Sequence, residues 1–343
     1  MHPPLSRIFI ASPALRSANN GNWQTAYRWS RFLRTNWQVS IGAEWPAADQ
    51  PSGQPACLIA LHARRSAPSI ARFAEAFPDR PLILVLTGTD LYRDIRIDDS
   101  ARRSLDLATH LVVLQEEGLA EMTTAHRAKC RVIYQSAPPR APVAPTAHER
   151  RTFDVVMVGH MRAEKDPRTP MRALERLPDD SRVRLIHIGS ALEDEYRLAA
   201  QALQAREWPG VQRYVWLSGL PHGDTLRRIA RAQAMIISSV MEGGANVIIE
   251  AVNAGVPVLA SRVSGNVGML GRDYEGYFPP GDDGVLAQLL DQVSRDQAFL
   301  AVLTRKCALR SPLFSPALEE AEVIRLVEDA LAQRPTGERI ARG

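Results

Sequence analysis

Glu242 and Glu250 lie in the stretch SVMEGGANVIIEAVNAGVPVLASRVSG, residues 239–265. Between them, Gly243 and Gly244 let the backbone turn sharply and approach a ligand. A helix is expected to start near Ala245-Asn246, with Val247 in its first turn, and to end at Gly255, with Pro257 just beyond. Its free N–H groups and positive dipole end suit a phosphate. Glu250 then lies about 7 Å along the helix axis at about 1.5 Å per residue. Two carboxylates would thus bracket a diphosphate site, one facing sugar hydroxyls and the other a ribose.

Three further loops carry reactive side chains. The run VGHMRAEKDP places His160, Arg162 and Lys165 after a strand that ends at Gly159. The run LHARRSA sets His62, Arg64 and Arg65 after the strand CLIAL. Tandem guanidiniums at a strand's carboxyl end match phosphate-like oxygens, though two solvated arginines are the plain alternative. The run LTGTDLYRD brings Thr87, Thr89, Asp90 and Arg93. Asp90 is either a base, a sugar-binding carboxylate or the cap of the following turn. Asn20, Gly21, Asn22 and Trp23 open the segment after the first strand. Trp29, His187 and His222 are read as structural.

Positioning these loops takes a repeated βα rhythm. RIFIA, CLIALH, PLILVL, HLVVL and RVIY alternate with helical stretches such as Trp23–Leu33 and Ala67–Phe77. Residues 135–152 are proline-rich and break the rhythm. It restarts at FDVVMVG and runs through RVRLIHIG, VQRYVWLSG, AMIISS and VPVLAS. The expected organisation is a first domain over 1–136, a linker over 137–152, a second domain over 153–314, and a closing helix over 315–333 that packs back on the first domain. Both domains read as Rossmann-like, doubly wound α/β units facing a ligand cleft.

At about 150 residues per domain, the 343-residue chain is long enough for two. With 45% hydrophobic and 23% charged residues, the bulk of it is not disordered. The 42 Lys and Arg against 38 Asp and Glu leave a net charge of +4. That small excess does not point to nucleic acid, which requires clustered charge, but it suits a basic cleft for a small anion. Cys57, Cys130 and Cys307 have neither disulfide-framework nor zinc spacing. Their scarcity fits a cytoplasmic protein. No apolar run approaches the ~18 residues of a membrane span. Ile8–Ala11 is too short for a signal peptide, and no Asp-x-Asp metal motif is present.

The combination EGGANVIIE, AGVPVLAS and PPGDDGVLAQLL resembles the GT-B glycosyltransferases of the family-4 type, with their E-x7-E motif. The resemblance covers nearly the whole chain. It implies that Glu242 contacts the donor sugar and Glu250 the nucleotide ribose. Lys165 matches the family lysine that stabilises the departing nucleoside diphosphate. His160 stands where the family arginine is expected, with Arg162 two residues on as the other source of charge. Gly21 falls where the family's glycine-rich loop meets the diphosphate, and Asn20, Asn22 and Trp23 would line the acceptor side. Thr87 replaces a histidine that many relatives carry, leaving His62 as the nearby substitute.

These departures together resemble one subgroup, the selenosugar synthases of selenoneine biosynthesis, over roughly residues 6–315. The resemblance implies a carbon–selenium bond made between selenophosphate and the anomeric carbon of UDP-N-acetylglucosamine or UDP-glucose. Arg64, Arg65 and Arg93 would clamp the selenophosphate. No cofactor or metal is implied. Pathway neighbours would make selenophosphate and consume the selenosugar. A conventional glycosyltransferase with a hydroxyl acceptor and a non-catalytic nucleotide-sugar sensor are the alternatives.

Overall fold

The computed structural model describes residues 5–15, 21–46, 54–141 and 151–332. The chain forms two units. One comprises the chain up to Gln135 together with the segment from Ala317 onward, and the other is Ser136–Pro316. Of the proline-rich stretch, residues 142–150 lie outside the described residues, as does Asn20.

The first unit runs β1 (Arg7–Ala11), α1 (Gly21–Leu33), β2 (Gln38–Gly42), β3 (Cys57–Leu61), α2 (Ala67–Ala76) and β4 (Leu82–Leu86). A π-helical turn, Asp90–Asp94, then leads into the one-turn α3 (Ile95–Ile97). There follow α4 (Asp99–Leu107), β5 (His110–Val113), α5 (Thr124–Ala128) and β6 (Cys130–Val132). The strands form one parallel sheet in the order β2-β1-β3-β4-β5-β6. β3 and β4 are buried along their whole length, as central parallel strands covered on both faces must be. β2 has no counterpart in the sequence reading. Its partly exposed, mixed sequence QVSIG carries no continuous apolar run, because an edge strand needs to bury less.

Helix α1 buries Ala26, Trp29 and Leu33, spaced three and four residues apart, against Ile8 and Ile10 of β1. The same cluster contains Val323, Leu326 and Val327 of the C-terminal helix, Pro316–Ala332. Burial of each such side chain contributes roughly 1.5–3 kcal/mol before entropy is charged. The buried Glu319 of that helix accepts from Trp29 Nε1 at 2.8 Å and from Arg28 Nε at 2.7 Å.

The second unit runs β7 (Phe153–Val158), α6 (Arg168–Glu175), β8 (Val183–Ile188), α7 (Asp194–Ala205), β9 (Tyr214–Trp216), α8 (His222–Arg231) and β10 (Ala234–Ile237). It continues with α9 (Asn246–Asn253), β11 (Val258–Ser261), α10 (Ser264–Leu270), β12 (Tyr277–Phe278), α11 (Asp283–Arg295) and α12 (Gln297–Arg310). The C-terminal helix named above is α13. The sheet is parallel in the order β12-β11-β10-β7-β8-β9. Succession reverses between β7 and β10, so the switch point where such sheets bind ligands lies beyond the carboxyl ends of these two strands. The doubly wound α/β reading of both sheets is what the structure shows. The start of the proline-rich stretch is fastened to this unit. Asn253 Nδ2 donates to the Ala137 carbonyl at 2.6 Å, and the Arg140 amide donates to the Asn253 carbonyl at 2.9 Å.

Candidate functional site

In the second unit, the loops after β7 and β10 meet at the switch point. Lys165 Nζ donates to Glu242 Oε1, and Ser239 Oγ donates to the same oxygen at 2.7 Å. The Glu242 side chain is only 10% exposed and that of Lys165 22%. The pair is therefore desolvated and held, unlike a surface ion pair. Two hydroxyls brace it from behind. Ser238 Oγ donates to the carbonyls of Lys165 and Asp166 at 2.9 and 2.8 Å, and Ser261 Oγ donates to the Ser239 carbonyl at 2.5 Å. Gly265 closes up against this loop. A Cβ there would stand 1.9 Å from the Glu242 carbonyl oxygen, so only glycine fits.

Gly159 follows β7, and its carbonyl is closely approached by a second glycine. Gly189, at φ +152°, approaches so closely that a Cβ on it would lie 1.9 Å from the Gly159 carbonyl. His160 is exposed, and its Nδ1 accepts from the Ser190 amide at 3.1 Å. Arg162 stands 3.9 Å from Glu164. Gly243 and Gly244 lead to Ala245, which caps α9 in extended conformation, and Asn246 and Val247 form the first turn. The N–H groups of that turn have no partner one turn earlier within the helix.

Glu250 projects from α9 and accepts from His222 Nε2 at 2.8 Å. Its side chain is 11% exposed and that of His222 50%. The hydrogen bond from the imidazole to Glu250 raises the His222 pKa above its ordinary value, against burial and the like charge of Arg140. His222 is thus a partner of Glu250. No sequence signal marks it, since the two are brought together by α8 packing beside α9. His187, by contrast, is buried inside β8 and bonded to Tyr214, and burial pushes its pKa down to about 4.

In the first unit, the loops after β3 and β4 are cross-tied. Asp90 is fully buried. Its Oδ1 accepts from the amides of Thr87 and Gly88 at 2.9 and 2.8 Å, and its Oδ2 from the amide of Ala63 at 2.9 Å. Asp90 thus braces the loop, as in the turn-capping alternative of its sequence reading, with its oxygens serving three backbone donors. His62 is a second brace of these loops. It is buried, its Nδ1 accepts from the Arg65 amide at 3.3 Å, and its Nε2 meets Thr89 Oγ1 at 3.1 Å. Burial leads the effects that lower its pKa. Thr87 and Thr89 are half-buried in this brace.

Arg64 and Arg93 converge on a residue that the sequence reading passed over. The Arg64 Nε donates to Asp94 Oδ2 at 2.8 Å and the Arg93 Nε to Asp94 Oδ1 at 3.0 Å. Burial pushes the Asp94 carboxyl up, but the two guanidiniums outweigh it and hold it below its ordinary value. Arg65 is exposed beside them. The spacing of Asp90 and Asp94 on one turn is visible in DLYRD; the Arg64 partner, far off in sequence, is not. Gly21 begins α1 and is exposed. Asn22 and Trp23 are half-buried, with Trp23 stacked on Tyr27 at 5.5 Å. Among the described residues, no group of three or more His, Cys, Asp or Glu could hold a metal ion. No described helix is long and apolar enough to cross a membrane.

Two parallel six-stranded sheets with helices match the GT-B fold of solved glycosyltransferase structures. The family described as glycosyl transferases group 1 matches residues 144–307. The matched stretch lies within the second unit and spans just under half of the chain. An uncharacterized glycosyltransferase of Methanocaldococcus jannaschii is 28% identical over 148 residues, 42% of this chain. The match spans 36% of that relative's length. Among solved structures, sucrose-phosphate synthase from Thermosynechococcus elongatus aligns with a TM-score of 0.77 at 16% identity, over 95% of this chain and 99% of that one. Anabaena HepE in complex with UDP-glucose aligns at 0.72 and 16%, over 95% and 100%.

Proposed function

We propose that the protein is a glycosyltransferase that joins the selenium of selenophosphate to the anomeric carbon of a UDP-sugar, UDP-N-acetylglucosamine or UDP-glucose. In this reading the second unit takes the donor. Glu250 accepts from the ribose hydroxyls and Glu242 from the sugar. Lys165, Arg162, His160 and the first turn of α9 oppose the diphosphate charge that grows as the bond to carbon breaks. A selenium lone pair forms the C–Se bond, the C–O bond to the β-phosphate breaks, and its electron pair leaves on UDP. The reading needs no metal or cofactor, because cationic side chains and backbone N–H groups oppose the leaving charge. Reactions that form selenophosphate and use the selenosugar would flank this one.

One observation carries the choice of nucleophile. A hydroxyl acceptor needs its proton removed by a base in the transition state. The titratable groups on the β3 and β4 loops, His62, Asp90 and Asp94, are all engaged with internal partners. What these loops turn outward is arginine. That suits a polyanion whose selenium is already nucleophilic. The HepE complex with UDP-glucose, at shared fold, supports the donor class.

The test is mass spectrometry of the purified protein with each UDP-sugar and fresh selenophosphate, without added metal. The expected result is a product with the selenium isotope pattern and one UDP per product. UDP-sugar binding with no selenium product, under conditions that preserve selenophosphate, would overturn the selenium assignment in favour of a hydroxyl acceptor.

A further inference from the structure

We infer that the β3 and β4 loops of the first unit form a built site for a small tetrahedral dianion, with Arg64 and Arg93 as its ligands and Asp94 as the positioning residue that sets their spacing. The inference deepens the proposed function by naming where the anionic acceptor is held, and it rests on that reading for the identity of the acceptor.

Charge is sorted by depth at these loops. The two carboxylates face inward, with Asp90 0% and Asp94 2% exposed. The guanidinium-bearing side chains of Arg64 and Arg93 are 41% and 40% exposed. The cationic side chains thus lie outermost, with the acids beneath them. Asp94 takes the Nε of each arginine, one per carboxylate oxygen, which fixes two planar cations side by side. A single carboxylate bridging two forks is a pre-organised arrangement, so little side-chain entropy is left to lose when an anion arrives.

The backbone beneath is strained and over-determined. His62 is held at φ +74°, a conformation that non-glycine residues rarely adopt. It is maintained by the Ser66 hydroxyl on the Leu61 carbonyl at 2.7 Å, the Ser104 hydroxyl on the Ala63 carbonyl at 2.8 Å, and the Asp90 contact to the Ala63 amide. Strain sustained in this way at a strand's carboxyl end keeps the Arg64 backbone where its fork meets Asp94. Two solvated arginines would need none of it. The sequence reading named Arg64, Arg65 and Arg93 together; the shared carboxylate joins Arg64 to Arg93.

The probe is inorganic thiophosphate, which shares the charge and shape of selenophosphate and resists oxidation better. Calorimetric titration of the full chain is expected to show one thiophosphate site. Arg64→Gln and Arg93→Gln should each weaken it about tenfold or more, with UDP affinity unchanged. Arg64→Lys should also weaken it, because the charge remains but the fork is lost. Asp94→Asn should raise the KM for selenophosphate while leaving kcat and the KM for UDP-sugar near wild type. Should that variant fail to fold, the arginine substitutions decide alone. No thiophosphate binding, or binding unaffected by both Gln variants, overturns the site. Binding that depends on both arginines without any selenium transfer would sink the proposed function and leave the dianion site standing.

Discussion

Glu250 and His222 offer a perturbation whose size and pH dependence both follow from geometry. The pair is 2.8 Å apart, one partner 50% exposed and the other 11%. Fully exposed ion pairs contribute about 0.2–1 kcal/mol, and hydrogen bonds to a charged group about 1.5–3 kcal/mol. A pair with one end in water falls between these, at about 1 kcal/mol, or roughly fivefold in an equilibrium constant. Because the folded-state pKa of His222 is raised above its ordinary 6.5, the contribution is full below that value. It is lost as pH rises through the raised value. A double-mutant cycle of His222→Gln and Glu250→Gln, read by urea unfolding, isolates the coupling. It should be about 1 kcal/mol near pH 5.5 and fall to a few tenths near pH 9. Coupling of the same size at both pH values would refute the charged-pair account. Coupling absent at both would mean that the two side chains do not meet.

Arg213→Met should cost the second unit about 3 kcal/mol, since this buried guanidinium donates to the carbonyls of Leu174, Leu177 and Pro178 at 3.2, 3.0 and 2.5 Å. At about 2–4 °C per kcal/mol for a unit of this size, calorimetry should show a Tm lower by roughly 6–12 °C; a loss under about 2 °C would contradict it. Gly265→Ala should displace the Glu242 carbonyl and lower turnover of the UDP-sugar about a hundredfold, while costing only about 1–3 kcal/mol in stability. Wild-type turnover in that variant would mean that Glu242 need not be held where it is. Glu319→Ala removes the acceptor of Trp29 Nε1 and Arg28 Nε and should cost about 3–5 kcal/mol. Limited proteolysis should then cut at α13 first, and unchanged protection there would show that the apolar contacts suffice.

By itself, the sequence determined the βα alternation, the two sheets and the glycine-led helix that carries Glu250. These features follow from local rules: apolar runs make buried parallel strands, and Gly-Gly before a helix and Gly-x-Pro after it set its ends. The Glu242–Lys165 pair was partly legible, because each residue sits just past a strand end and parallel strands share one edge for their loops. What only the tertiary structure decided is which charges meet across strands. Asp94 gathers arginines from two loops, His222 reaches Glu250 from the neighbouring helix, and Asp90 and His62 spend their polar atoms inward. The edge strand β2 also went unread, because pairing with β1 rather than its own composition makes it a strand. Side-chain chemistry is written in the chain. Which of that chemistry remains for a ligand depends on hydrogen bonds between segments that only folding brings within 3 Å or so of one another.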